Sequence, residues 1–327
     1  MSGFLDTYHR NIDYMRISVT DRCDLSCIYC TEKAVPCLPH DDILRYEEIQ
    51  RIVQAAAKLG VKSLRITGGE PLVRPNISKL VELLVQVEGI NDITLTTNGT
   101  LLSQCAEELK AAGLKRVNIS LDTFKADKYK KITGSDKLKD VLDSIELAKK
   151  VGLTPVKINT VVMRGVNDDE ILDFARISAS EGWNVRFIEM MPLVNTGLKD
   201  NKLVSVKEMM ATIEESLGKL EPCLTTSGNG PAKYYKLPNA EGTIGFIGPV
   251  TECFCATCNR FRVTADGGLR PCLLEDDEID IKGPLRNGAG IDELKELMQQ
   301  AVALKRERHR LNETYTHGQR QMWQIGG

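Results

Sequence analysis

The sequence predicts an α/β protein built around a parallel β-sheet. Short β-type runs alternate with helical stretches through the first 190 or so of its 327 residues. Links between them are short, which favours parallel strands joined by right-handed crossovers. The alternation yields about six strand–helix units, where a closed barrel of this type has eight. The two architectures that fit are an incomplete barrel and a doubly wound open sheet. After Pro192 the alternation breaks, and the rest reads as a smaller β-containing extension.

The first strand is the apolar run over 14–19, followed at once by a cysteine-rich loop. Residues 46–59 carry Ile49, Ile52, Val53 and Ala56 at helical spacing and stop at Gly60. A strand over 63–67 precedes a helix over 76–87, with Asn76 as the expected cap. A strand at 93–97 and a helix at 103–112 follow, then a strand at 116–121 and a helix at 138–151. The last units are a strand at 156–162, a helix at 168–181 and a strand at 184–189. Beyond these come a helix over 204–218, a turn-rich segment over 225–231 and β-like runs at 234–237 and 243–247. The expected division is 1–222 and 223–327, with the boundary near Cys223. A helix begins near Asp292, and the basic run Lys305 to Arg310 reads as its solvated face.

Composition narrows the function classes. The formal net charge is −2, which gives no case for bulk nucleic-acid binding. No apolar run is long enough to span a bilayer. The first ten residues lack a signal or transit pattern, so a soluble cytoplasmic protein is expected. Ten cysteines in such a chain point to metal or redox chemistry rather than staples.

Cys23, Cys27 and Cys30 form C-x3-C-x2-C at the end of the first strand. Thiolates are the standard ligands of iron–sulfur clusters, which normally take four. Three predict a cluster with one iron left open to bind a small molecule. A zinc site closed by His40 or Cys37 is the alternative. Cys255 and Cys258 form C-x2-C, with Cys272 further on. Alone this second triad favours zinc, completed by Cys253 or Cys223; beside the first it reads as a second open cluster.

Other strand ends carry polar chemistry. Thr67-Gly68-Gly69-Glu70-Pro71 closes the second strand, and its glycines permit close approach of a backbone to a ligand. Thr96 and Asn98 end the third strand, and Ser120 and Asp122 the fourth. Lys157 sits in an otherwise apolar strand, a costly place without an anion. Arg186 and the pair Met190-Met191 lie at the end of the sixth strand. If the strands are in phase, Arg16, Arg65 and Lys157 make one anion site. Arg260 and Arg262, two apart in a strand, share a face and suggest an anionic substrate beside the second centre.

The first triad, with Tyr29 before its last cysteine, resembles the signature of radical S-adenosylmethionine enzymes. The wider pattern resembles the GTP 3′,8-cyclases of molybdenum cofactor biosynthesis. The matching segments are 16–23, 67–72, 95–99, 167–170, 186–192, 245–249, 254–262 and the terminal Gly326-Gly327. Asp24 and the pair Thr31-Glu32 depart from the family pattern.

That resemblance implies an incomplete barrel and two [4Fe-4S] clusters, one on Cys23, Cys27 and Cys30 and one on Cys255, Cys258 and Cys272. It places S-adenosylmethionine against Tyr29, Gly69, Ser120 and Met191. It places GTP against Arg16, Arg65, Thr96, Lys157, Arg260, Phe261 and Arg262, with Arg16, Arg260 and Arg262 catalytic. One-electron cleavage of the cofactor gives a 5′-deoxyadenosyl radical, which takes the 3′ hydrogen of GTP; the sugar radical then attacks guanine C8. The double-glycine tail reaches toward the active site. The resemblance further implies an electron donor and a downstream cyclic pyranopterin synthase, no nucleic-acid or membrane partner, and allows a homodimer. A radical enzyme acting on a peptide and a zinc-bearing nucleotide-binding module are the alternative functions.

Overall fold

A computed structural model describes residues 3–30, 36–191, 202–224, 228–310 and 320–326. Its strands are β1 (Tyr14–Ser18), β2 (Ser63–Thr67), β3 (Asp92–Thr97), β4 (Arg116–Ser120), β5 (Lys157–Val162) and β6 (Asn184–Glu189). Then come β7 (Glu221–Pro222), β8 (Lys233–Lys236), β9 (Thr243–Ile247), β10 (Arg260–Val263), β11 (Gly268–Arg270) and β12 (Ile279–Asp280). The helices are α1 (Tyr46–Leu59), α2 (Ile77–Val85), α3 (Ala106–Ala111), α4 (Ala126–Thr133), α5 (Leu138–Lys150), α6 (Ile171–Glu181), α7 (Val206–Leu217), α8 (Lys282–Arg286), α9 (Ile291–Ala303) and α10 (Met322–Ile325).

All twelve strands join one open sheet, in the order β12-β11-β10-β1-β2-β3-β4-β5-β6-β9-β8-β7. The six expected strands run in sequence at its centre. Two later strands extend them in parallel, β10 beside β1 and β9 beside β6. Antiparallel pairs finish both edges. The sheet does not close, as an incomplete barrel requires. Residues from 221 onward thus build both edges of the same sheet.

Local chemistry marks the boundaries of two helices plainly. At the start of α1, Glu48 accepts from the Arg45 backbone N–H at 2.7 Å, and Gly60 ends the helix at φ 110°. Ser205 and Glu208 form a reciprocal capping box on α7. The expectation that Asn76 caps α2 with its side chain does not hold. Asn76 has left-handed φ of 57° and no side-chain cap bond, a conformation asparagine tolerates better than most residues. Helix α4 has no counterpart in the sequence reading. It is short and lysine-rich and buries just Tyr129, Ile132 and Thr133, so its apolar period is too faint to read.

The sheet has two faces of opposite character. Met15, Ile17, Leu64 and Ile66 are buried in the apolar core. Their neighbours in sequence, Arg16 and Arg65, stand on the other face, because successive side chains alternate across a strand. That second face holds the site.

Candidate functional site

Strand register aligns the cations. Arg16 pairs with Arg262 on one side and Arg65 on the other, so three guanidiniums form a row across β10, β1 and β2. On the same face, Thr96 pairs with Asn118, and Asn118 with Lys157. The strand phase left open by the sequence therefore puts Arg16, Arg65 and Lys157 on one face of the sheet. Arg65 Nη1 donates to Thr96 Oγ1 at 3.3 Å, while its buried Nε has no hydrogen-bond partner among the described residues. Arg186 joins the group and donates to the Tyr234 hydroxyl at 2.7 Å.

The row faces a cavity of about 320 Å³. Its walls include Cys23, Cys27 and Cys30 on one side and Cys255, Cys258 and Cys272 on the other. Tyr29, Gly69, Ser120, Met191, Arg16, Arg65, Thr96, Arg260 and Arg262 line it too. Two of the expected residues are placed differently. Lys157 is buried beneath the lining, 2% exposed, with its ammonium over the Tyr234 ring at 5.7 Å. Phe261 lies in the row of Met15 on the apolar face and packs edge-to-face on Phe4, with ring centroids 5.8 Å apart. Strand alternation that turns Arg260 and Arg262 inward turns Phe261 away.

The cysteine loop is anchored on the glycine segment after β2. Gly69 N–H donates to the Thr20 carbonyl and Glu70 N–H to that of Arg22, both at 2.8 Å. A Cβ on Gly69 would stand 2.5 Å from the Arg22 oxygen, so the glycine is required by this contact between loops. Glu70 is buried and accepts from Leu72 N, Thr97 Oγ1 and Asn98 N. Burial pushes its carboxyl up to about 7 against those donors. Asp122 accepts from the Tyr29 hydroxyl at 2.7 Å, and burial lifts it to about 6. Asn98 bonds Asp24 at 2.7 Å, which ties the third strand end to the same loop.

The two thiol triads differ in electrostatics. Burial raises the Cys23 thiol to about 12, and Cys27 also rises. Burial acts on Cys258 in the same sense, but Arg260 and Lys305 overcome it and bring the thiol down to about 6. Arg260 Nη2 lies 3.5 Å from Cys258 Sγ, and its guanidinium covers the Phe254 ring at 4.9 Å. Both donor sets fit iron–sulfur clusters: all ten cysteines are free, and each triad offers soft thiols to one cavity. Among the described residues, His40, Cys37, Cys253 and Cys223 do not line that cavity.

Sequence reasoning passed over several residues here. Lys305 is not on a solvated helix face: α9 ends at Ala303, and Lys305 is 4% exposed. Its ammonium donates to the carbonyls of Arg260 and Pro271. Arg10 bonds the Cys255 carbonyl at 2.8 Å and those of Arg306 and Glu307. Glu70, Asn98, Asp122, Asn159 and Trp323 also line the cavity; the first three were visible as polar residues at strand ends. The tail reaches this region as well, since Gly326 accepts from Arg262 Nη1 at 2.9 Å and sits against Ser18 and Thr67. Gly327, Pro192 and the pair Thr31-Glu32 lie outside the described residues.

An open parallel sheet with a three-cysteine loop at the end of its first strand defines the radical S-adenosylmethionine class. The model of the Radical SAM superfamily matches residues 17–177, and that of Molybdenum Cofactor Synthesis C matches 183–311. The fold is similar to that of Streptococcus suis SuiB bound to S-adenosylmethionine, with a TM-score of 0.62 and 14% identity over 88% of this chain and 71% of that one. It is also similar to anSMEcpe with bound AdoMet, with a TM-score of 0.59 and 18% identity over 91% and 82% of the two chains. A GTP 3′,8-cyclase of Pelotomaculum thermopropionicum is 51% identical over 98% of this chain and 99% of its own length. One of Desulforamulus reducens is 47% identical over 99% and 100%. The chain belongs to the GTP 3′,8-cyclase family. Among the described residues, no helix is long and apolar enough to cross a membrane.

Proposed function

We propose that this chain cyclises GTP between C3′ and C8, the first step of molybdenum cofactor biosynthesis, inside the cavity between the two thiol triads. The observation that carries the reading is that both triads and the arginine row open on one chamber. Cys23, Cys27 and Cys30 would hold a [4Fe-4S] cluster, with S-adenosylmethionine against Tyr29, Gly69, Ser120 and Met191. Cys255, Cys258 and Cys272 would hold a second [4Fe-4S] cluster at the nucleotide end. Together these groups supply one-electron cleavage of the cofactor sulfonium and removal of the ribose 3′ hydrogen.

The chain's own residues bind and orient the nucleotide. Arg16, Arg65 and Arg262 stand in register, so a phosphate meets adjacent guanidinium forks that bind it bidentately. Lys157 adds charge from beneath, and Thr96 adds a hydroxyl already held by Arg65. Arg16, Arg260 and Arg262 act as catalytic groups by fixing the ribose and base over the reacting positions and balancing charge there. Phe261 contributes through its position in β10, since its ring belongs to the core. Gly326, bonded to Arg262, brings the tail to the wall of the same chamber.

An external one-electron donor, a homodimeric assembly and a cytoplasmic setting complete the reading, with a cyclic pyranopterin synthase consuming the product. Residues 1–222 carry the first triad and 223–327 the second. The test is anaerobic: chain reconstituted with iron and sulfide, reduced, and given GTP with S-adenosylmethionine. It should form 5′-deoxyadenosine and a cyclised nucleotide in matching amounts. Cofactor cleavage with GTP recovered intact overturns the proposal.

A further inference from the structure

Cys253 stands two residues before the second triad and outside its chamber. Its thiol, the Cys255 thiol and an imidazole nitrogen of His309 lie within 4.8 Å of one another. Among the described residues, this is the sole set of three or more histidine, cysteine or carboxylate ligands that converges so tightly. Ligands of a cubane cluster each take a different iron, so their sulfurs stand apart. Ligands of one tetrahedral ion meet around a point, with Zn–S near 2.3 Å and Zn–N near 2.0–2.1 Å, which places them roughly 3.5–4 Å from each other. Separations of no more than 4.8 Å within the trio fit the second arrangement.

We propose that Cys253, Cys255 and His309 form a single-ion site for a thiophilic divalent cation of the Zn²⁺ class, which competes with the second cluster for Cys255. The donor set of two thiolates and one imidazole is that of zinc sites that keep a fourth position for water. His309 is buried and held near the 249 backbone, so one ligand is placed in advance. Cys253 is exposed, whereas Cys255 and His309 line the chamber, so the trio sits in the chamber wall with one ligand open to solvent. Metal binding releases the thiol protons to solvent and involves no change of oxidation state. The competition rests on the assignment of Cys255 to the second cluster; the single-ion site does not. The consequence is an off-state: a chain that meets Zn²⁺ before iron and sulfide closes one ligand of the second cluster into another coordination sphere.

The probe is Co²⁺, then Zn²⁺, added anaerobically to iron-free full-length chain in which Cys23, Cys27 and Cys30 are all serine. One equivalent of Co²⁺ should bind with thiolate-to-cobalt charge-transfer absorption, and Zn²⁺ should displace it. Adding Cys258→Ser and Cys272→Ser should change the affinity by less than about threefold, whereas adding Cys253→Ser should weaken it more than about tenfold. Cys253 is exposed, so its replacement leaves folding intact. Equal weakening by the two sets of variants, or no cobalt–thiolate absorption, overturns the site. In a second arm, Zn²⁺ loaded first should lower iron uptake by the second triad, and Cys253→Ser should abolish that effect. Iron uptake indifferent to Zn²⁺ overturns the competition. Iron retained without Cys258 and Cys272 would instead defeat the cluster assignment.

Discussion

The Lys305 ammonium lies 2.6 Å from the carbonyl oxygen of Pro271, the residue before Cys272. It also donates at 2.9 Å to the Arg260 carbonyl, two residues beyond Cys258. One buried cation thereby ties together the two segments that carry the second triad. Lys305→Met preserves much of the stem but leaves two carbonyls without a charged donor. The expected cost is about 1.5–3 kcal/mol, the range for hydrogen bonds involving charged groups. Reconstituted variant should keep roughly half the iron of the parent chain, because the first triad is untouched. Thermal unfolding and iron analysis check both, and full iron content would show that the loops are held by other contacts.

Gly69 links the other triad to the sheet. Its missing Cβ makes room for the Arg22 carbonyl, and the backbone bonds at Thr20 and Arg22 hold the cysteine loop in place. Gly69→Ala puts a methyl 2.5 Å from that oxygen, so the loop must shift. The expected destabilisation is about 1–3 kcal/mol, as for other overpacked sites. Cleavage of S-adenosylmethionine by the reduced enzyme should fall more steeply than GTP binding, since the arginine row lies on other residues. Equal loss of both would mean that the glycine supports the whole chamber.

Phe261 and Arg262 are neighbours in sequence with opposite surroundings. Phe261 is fully buried against Phe4, and Arg262 lines the cavity. Phe261→Ala should cost about 3–5 kcal/mol of stability through the cavity it leaves. Its folded fraction should bind GTP almost as the parent does. Arg262→Leu should fold and yet bind GTP at least about tenfold more weakly, since a charge-assisted bond is worth about 1.5–3 kcal/mol. Calorimetric titration alongside chemical denaturation separates the two effects.

That contrast also shows how far the sequence could be read. The central strands were legible because a buried parallel sheet leaves nearly continuous apolar runs between helices of regular period. The cysteine triads were legible because their spacing is local. Register was not, since it depends on which residue of β1 meets which residue of β10, nearly 250 positions away. The roles of Lys305 and Arg10 were hidden for the same reason. Each acts by bonding backbone carbonyls on a distant segment, and a carbonyl has no identity in a sequence. Cys253 and His309 likewise meet only through the fold. Helix α4 escaped because its stability comes from packing a few side chains, not from a pattern.

Lys157 links the chamber to pH. Burial pushes its ammonium down to about 6, and Arg186, Arg116 and Arg65 add repulsion that Asp92 only partly offsets. At pH 7.5 the unliganded protein therefore holds this lysine largely neutral, whereas the unfolded chain, with an ordinary value near 10.4, holds it charged. Between about pH 6 and 10 the unfolded state binds more protons, so this residue makes stability rise with pH across that window. A triphosphate reverses the balance by favouring the ammonium, so nucleotide binding at pH 7.5 should take up a fraction of a proton. Titration calorimetry in two buffers of different ionisation enthalpy should give different heats for GTP. Lys157→Met should remove the difference, weaken GTP and flatten the stability profile over the same window. Identical heats in both buffers for the parent chain would place Lys157 outside the phosphate field and leave the anion site to the arginines alone.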